Sequence, residues 1–207
     1  AMGAKGYENG FKLIILPERL AEPLNRRKPT TYFVNSMSDL FHNEIPFEFL
    51  DSVFDVIRRT PQHTYQILTK RAARMRKYFV PGERIVPGNV WLGVSVENRK
   101  YGLPRIDELR EVEASIRFLS VEPLLEDVGT IDLTGIHWVI VGGESGPKAR
   151  PMKPEWVASI QEQCDAAGVA FFFKQWGGWG ADGKKRHKKE NGRVFAGKTW
   201  DEMPVMW

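Results

Sequence analysis

Cysteine is almost missing from this 207-residue sequence, which contains a single one, Cys164. One thiol cannot form an internal disulfide, and a chain without disulfides is typical of the cytosol. One thiolate is also too few to hold an iron–sulfur cluster, which several cysteines usually bind. Long apolar runs are missing as well, because "LIIL" at 13–16 is far too short for a membrane span or a signal-peptide core. These absences predict a cytoplasmic protein without structural disulfides.

The net positive charge of the sequence comes from one segment. The formal net charge is +4, but "KKRHKK" at 184–189 contributes +5, so the other residues sum to −1. A nucleic-acid-binding face spread over the whole surface is therefore not indicated. The four histidines are scattered and show no metal-ligand spacing, so the sequence predicts no metal site.

Six short runs rich in β-branched and aromatic residues predict strands. They lie at 31–36, 64–70, 90–96, 116–121, 137–143 and 169–176. Helical spacing of apolar residues predicts helices over 46–60, 70–79, 105–112 and 153–168, whereas the segment between the fourth and fifth strands is too short and acidic for one. Strands that alternate with helices predict an α/β fold with a mainly parallel sheet, in one domain over 1–207.

The segment 177–207 differs in character from the rest. It contains glycines, the basic run and the dipeptide Asn191–Gly192, which is typical of a hairpin turn. We expect this segment to be an irregular basic appendage, either a small hairpin or a loop.

Charged side chains follow every predicted strand at its C-terminal end. The polar residues at these ends are Asn35, Ser36, Ser38 and Asp39; Thr69, Lys70 and Arg71; Ser95, Glu97 and Asn98; Ser120 and Glu122; Glu144 and Ser145; and Lys174 and Gln175. In parallel α/β folds this edge of the sheet is where ligands bind. Solvated strand ends are the ordinary explanation for any one of them, but all six together predict a ring of functional side chains.

Four carboxylates in one ring would repel each other unless a cation lies between them. Lys70 and Lys174 are the lysines placed to do so, and Lys70 also sits unfavourably at the start of a helix. The ring therefore predicts a ligand with an amino group, a ribose or a positive centre.

Several motifs, in fixed order, resemble one known family. They are "FVNSMSDLFH", "PQHTYQILTKR", "NVWLGVSVEN", "RFLSVEPLL", "WVIVGGESGPKARPM", "FFFKQWG" and "GKTWDEMP". Together they resemble the bacteriophage gene-product-37/68 family over Gly6 to Pro204. That family is similar to radical S-adenosylmethionine enzymes, in particular to their spore photoproduct lyase branch.

The resemblance implies a partial (β/α) barrel that binds S-adenosylmethionine at its C-terminal mouth. It places Ser36, Ser38 and Asp39 near the methionine amino group of that cofactor, and Ser95, Glu97 and Asn98 near its ribose. It places Glu122 and Glu144 on the substrate side, and we expect Lys70 to act with them.

The sequence departs from the family at its start. Members carry a three-cysteine cluster motif on a first strand, and this chain begins at about the point that follows it. We therefore expect a truncated form that cannot bind the iron–sulfur cluster and is inactive alone, so whether it is an enzyme stays open. The run 31–36 would then form an exposed sheet edge, which a second copy could pair with. A phage-encoded protein would act in the host cytoplasm.

A second interpretation is a nucleic-acid-binding or host-interaction module. Trp176, Trp179 and the basic run at 184–189 combine aromatic surface with positive charge, as in proteins that bind single strands. Salt separates the two interpretations, because phosphate binding weakens steeply with salt whereas binding of an adenosyl ligand does not.

The cysteine count makes one prediction about iron. We expect the purified chain to stay colourless after incubation with iron and sulfide under reducing conditions, because a single thiolate does not hold a cluster. Absorption spectra and iron analysis would measure this, and a stoichiometric cluster would show that a second chain supplies ligands.

Overall fold

A computed structural model describes residues 13–35 and 38–205 of the chain. The described strands are β1 (Thr31–Val34), β2 (Thr64–Thr69), β3 (Val90–Ser95), β4 (Ile116–Val121), β5 (Trp138–Gly142) and β6 (Ala170–Gln175). The helices are α1 (Phe47–Arg58), α2 (Ala72–Tyr78), α3 (Arg99–Arg110), α4 (Pro154–Ala167) and α5 (Lys188–Asn191), after a 3-10 helix at Pro17–Ala21. In this part of the chain, no helix is long and apolar enough to cross a membrane.

The six strands form one parallel sheet in sequence order, β1 to β6. The sheet curls into a half-barrel, so the fold is a partial (β/α) barrel, as predicted. No helix connects β4 and β5, which also agrees with the sequence. Parallel pairing brings the C-terminal ends of all six strands to one edge, which we call the mouth.

Single residues determine where α4 ends and where α3 begins. Gly168 ends α4 in the left-handed region, with φ of 64°, where glycine has no steric penalty. Helix α3 begins six residues earlier than predicted because the Asn98 side chain accepts a hydrogen bond from the Tyr101 backbone N–H at 2.9 Å. This cap satisfies one of the free N–H groups of the first turn.

The helices cover one face of the sheet and leave the other face as the inner face of the half-barrel. Ile67, Leu92, Leu119, Val139 and Phe171 belong to the main core, which also contains the buried residues of α1 to α4. The alternate residues of the strands point the other way. The inner face therefore carries its own chemistry, separate from the main core.

The base of the inner face is a layer of aromatic rings. Trp91, Phe118 and Trp138 are buried together there with Ile116. Trp91 and Trp138 meet edge to face, with their ring centroids 6.0 Å apart. Phe118 lies directly across Gly93, where an added Cβ atom would come within 2.4 Å of the ring. The strands β3 and β4 therefore need a glycine at this position.

The segment after β6 packs on the domain. Trp176 is buried against Phe173 and Phe195. The edge of β6 is covered by the chain itself, since the Phe173 N–H donates to the Trp200 carbonyl and Phe172 forms an antiparallel bridge with Asp201. The dipeptide Asn191–Gly192 ends α5 and does not turn a hairpin.

The opposite edge of the sheet is β1, which pairs with β2. Phe33 on this strand has an exposed fraction of 47%. Pairing of a second copy at this edge stays a prediction.

The Gly93 contact predicts a stability effect. Gly93→Ala should lower the free energy of unfolding by about 1–3 kcal/mol, because the new methyl group overlaps the ring of Phe118, which is buried against Trp138. Gly88→Ala is the matched control, since a Cβ there meets nothing within 4 Å. Urea denaturation would measure both variants, and equal stabilities would contradict the predicted overlap.

Candidate functional site

The upper inner face at the mouth is polar. Lys70, Ser95, Ser120 and Lys174 continue the inner-face alternation of β2, β3, β4 and β6. Ser95 and Ser120 are buried and pair directly across β3 and β4. The two lysines stand on the flanking strands, with side-chain exposures of 53% and 56%.

Glu97 is the most buried carboxylate of the mouth, with 10% of its side chain exposed. It forms ion pairs with Lys70 and with Arg105, whose Nη1 lies 2.7 Å from Glu97 Oε2. Arg105 also donates to the Ser95 carbonyl at 2.6 Å and so ties α3 to the end of β3. Burial alone would raise the pKa of Glu97, but the hydrogen bonds from Lys70 and Arg105 more than offset it and the pKa is lowered.

Glu122 forms a second pair on the other side of the mouth. Lys174 Nζ lies 3.0 Å from Glu122 Oε2, and the Ser120 hydroxyl donates to Glu122 Oε1 at 3.2 Å. The carboxylate lies over β5 because Gly142 has no side chain there; a Cβ at Gly142 would come within 2.8 Å of Oε2. Lysines thus lie against two of the mouth carboxylates, as predicted.

Asp39 is fully occupied by contacts with the end of β2. Its carboxylate accepts from the Thr69 hydroxyl at 2.7 Å, from the Lys70 N–H at 3.0 Å and from Arg71 Nη1 at 2.9 Å. It also accepts from the Phe41 N–H. These four bonds fix the loop after β1 to the start of α2.

Glu144 is bound within its own loop. Arg150 donates to both of its carboxylate oxygens from the guanidinium, at 2.8 Å each, and once more from its backbone N–H. The hydrogen bonds from the Arg150 side chain and backbone lower the pKa of Glu144 to about 2. Glu144 therefore stands at the mouth, but its carboxylate is turned to Arg150.

Three further residues were predicted to bind the cofactor, and the structure describes two of them, Asn98 and Ser38. Asn98 caps α3 through its side-chain oxygen. Ser38 is exposed at the mouth end of β1, and Ser36 lies outside the described residues.

The mouth combines carboxylates with cations, as the sequence predicts, but more cations take part than Lys70 and Lys174. Its four carboxylates are Asp39, Glu97, Glu122 and Glu144, and each has a cationic partner. The partners are Arg71, Lys70, Arg105, Lys174 and Arg150, five cations in all. The sequence does not predict the roles of Arg105 and Arg150, because they follow their strand ends by ten and eight residues, where strand alternation no longer fixes a side chain. With every carboxylate paired, the mouth carries no excess of negative charge.

The prediction that Trp176 and Trp179 form an aromatic surface near the basic run is partly wrong. Trp176 is a core residue whose indole N–H donates to the Val194 carbonyl at 2.8 Å. Trp179 is half-buried, and its indole N–H donates to the Ala149 carbonyl at 2.7 Å. Trp176 is therefore not available for stacking on a base.

Cys164, the single cysteine of the sequence, lies in the main core on α4. Burial, with a contribution from Glu202, raises the pKa of its thiol to about 12.

Among residues 13–35 and 38–205, no group of three or more His, Cys, Asp or Glu side chains could hold a metal ion. A groove of about 970 Å³ lies on the side of the sheet opposite the mouth, at the N-terminal ends of β5 and β6. It includes none of the mouth carboxylates.

The Glu97 contacts predict a pH-dependent stability. A lowered pKa in the folded state means that the carboxylate stabilises the fold above its ordinary value of 4.5, and that this contribution is lost as pH falls through the folded-state pKa. Glu97→Gln should cost about 1–3 kcal/mol at pH 7, as for hydrogen bonds to charged groups, and less at pH 3.

Urea denaturation at both pH values would test this. Glu162→Gln is the control, because Glu162 is exposed on α4. An equal cost of Glu97→Gln at pH 7 and pH 3 would contradict the assignment.

A family model described as "Protein of unknown function (DUF5131)" matches residues 1–204. No curated protein and no solved structure matches the chain. Because the family model spans nearly the whole sequence, the chain belongs to the DUF5131 family.

Proposed function

We propose that this chain is a radical S-adenosylmethionine-like partial barrel that binds an adenosyl ligand at its mouth. The observation that carries the proposal is the arrangement of Lys70–Glu97 and Lys174–Glu122 on the inner face, on either side of Ser95 and Ser120. In parallel α/β folds, ligands bind at this edge of the sheet.

The two ion pairs suit a ligand that carries both charges. S-adenosylmethionine ends in an ammonium and a carboxylate, which can take the places of the lysine and glutamate partners. Both lysines are about half exposed, whereas both glutamates are largely buried. The carboxylates are therefore held in place while the lysine ammonium groups can move toward a ligand.

The middle of the mouth suits the neutral part of such a ligand. The hydroxyls of Ser95 and Ser120 are of the type that hydrogen-bonds to ribose. Leu68, Ile140 and Phe172 are partly buried against the aromatic layer on the inner face, and they offer apolar surface to a purine ring.

Only some of the site residues expected from sequence are free to contact a ligand. We expect Lys70, Ser95, Glu97 and Glu122 to contact the ligand or substrate. In the described arrangement Asp39, Asn98 and Glu144 are occupied by internal bonds, so we assign them to positioning the loops of the mouth. Lys174 and Ser120 join the set through their contacts with Glu122.

The iron–sulfur cluster of radical S-adenosylmethionine enzymes does not fit the residues of this chain. Its one cysteine is a buried thiol in the helix-covered core, away from the mouth. We therefore derive no reaction step through a cluster and propose ligand binding for this chain alone. Radical cleavage of the cofactor would need thiolates from outside these 207 residues.

A titration would test the role of Lys70. S-adenosylmethionine should bind to the wild type, and Lys70→Met should weaken its affinity about 10- to 100-fold, the effect of losing a hydrogen bond between charged groups. Isothermal titration calorimetry would measure the affinities, and thermal melts would show that the variant is folded.

Lys188→Met is the matched control, since Lys188 is exposed on α5 and we expect the same affinity as in the wild type. Absence of binding to the wild type would refute the proposal. Equal affinities of the two variants would remove Lys70 from the site.

A further inference from the structure

Two segments at the mouth pack together into one surface lobe. The Gly178 N–H donates to the Glu144 carbonyl at 2.7 Å, and Lys185 Nζ donates to the Pro147 carbonyl at 2.5 Å. The Trp179 indole adds a bond to the Ala149 carbonyl at 2.7 Å. We call residues 144–153 and 177–193 together the basic lobe.

The packing of the lobe depends on glycines. A Cβ at Gly143 would lie 1.9 Å from the Trp176 carbonyl oxygen, and one at Gly177 would lie 2.2 Å from that of Glu144. Since both obstacles are backbone atoms, neither could move aside. The basic run at 184–189 is therefore held against the loop after β5 and is not a free loop.

The lobe concentrates the positive charge of the protein. It contains nine lysines and arginines against three acidic residues, a local charge of +6 in a chain whose net charge is +4. Its three arginines form ion pairs with Glu144, Asp182 and Asp201. Its six lysines are all exposed, and none forms an ion pair within 4 Å of a carboxylate among the described residues; they are Lys148, Lys153, Lys184, Lys185, Lys188 and Lys189.

This distribution points to a polyanion that is recognised by charge. Binding to a membrane surface normally adds apolar side chains that insert among the lipids. Of the exposed large hydrophobic residues in the described chain, Val194 directly follows the basic lobe, and the others belong to other segments; they are Leu24, Phe33, Val80, Ile85, Tyr101, Met203 and Val205. Exposed lysine ammonium groups that form no ion pair are typical of contacts to nucleic-acid phosphates.

We propose that the basic lobe binds the phosphate backbone of a nucleic acid. The lobe begins two residues after β5 and two residues after β6, so it lies at the rim of the mouth. A strand held there passes beside the inner face, next to Lys174 and Glu122. The inference rests on the lobe alone and does not depend on the adenosyl ligand.

Fluorescence anisotropy with labelled oligonucleotides of about 20 nucleotides, single-stranded and duplex, would test the proposal. We expect binding whose affinity falls steeply between about 50 and 200 mM salt. The variant Lys148→Gln/Lys184→Gln/Lys188→Gln/Lys189→Gln should bind at least about tenfold more weakly and lower the salt slope by about 3, since each phosphate contact adds about 0.7 to 0.9.

The control variant removes the same charge from the side of the sheet opposite the mouth. It is Arg26→Gln/Arg27→Gln/Lys28→Gln/Lys77→Gln. These four residues are exposed, before β1 and in the last turn of α2. We expect this variant to bind like the wild type. Equal weakening in both variants would show that net charge alone is responsible and would overturn the site. Binding to phosphatidylserine vesicles without binding to either oligonucleotide would overturn it as well.

Discussion

Parallel pairing in sequence order is the constraint on which this structure depends. The chain must cross back to the N-terminal edge of the sheet before each new strand starts, so the residues directly after each strand lie at the mouth. The alternation of the side chains then divides these residues between the helix-covered face and the inner face. Lys70, Ser95, Ser120 and Lys174 come together for this reason, although they span more than 100 residues of sequence.

Charge pairing at the mouth explains how four carboxylates, one of them buried, tolerate one another. An unpaired carboxylate at the burial of Glu97 would be costly, and its two cationic partners remove most of that cost. The partners come from different elements, Lys70 from the end of β2 and Arg105 from α3. The ion pairs therefore hold a helix and two strands together and also set the charge that a ligand meets.

The sequence predicts the sheet well, because six runs of six to eight residues are rich in β-branched and aromatic side chains and alternate with helical patterns. It also places Lys70 and Lys174 correctly, since strand ends fix their position. It does not reveal Arg105 or Arg150, because both reach their carboxylates from outside the strands. The burial of Trp176 is likewise hidden, since it depends on the return of Phe195 to β6, and the segment between them has no periodic pattern.

The covering of β6 has a consequence for the order of folding. The residues that hydrogen-bond to its edge, Trp200 to Glu202, follow the strand by about 25 positions. During synthesis β6 is made well before its cover, and chains fold from the N-terminal side as they emerge. The edge of the sheet is thus left open for pairing with other nascent chains until residues 200–202 have left the ribosome. The segment after β6, which the sequence predicts to be an appendage, therefore protects the edge of the sheet against aggregation.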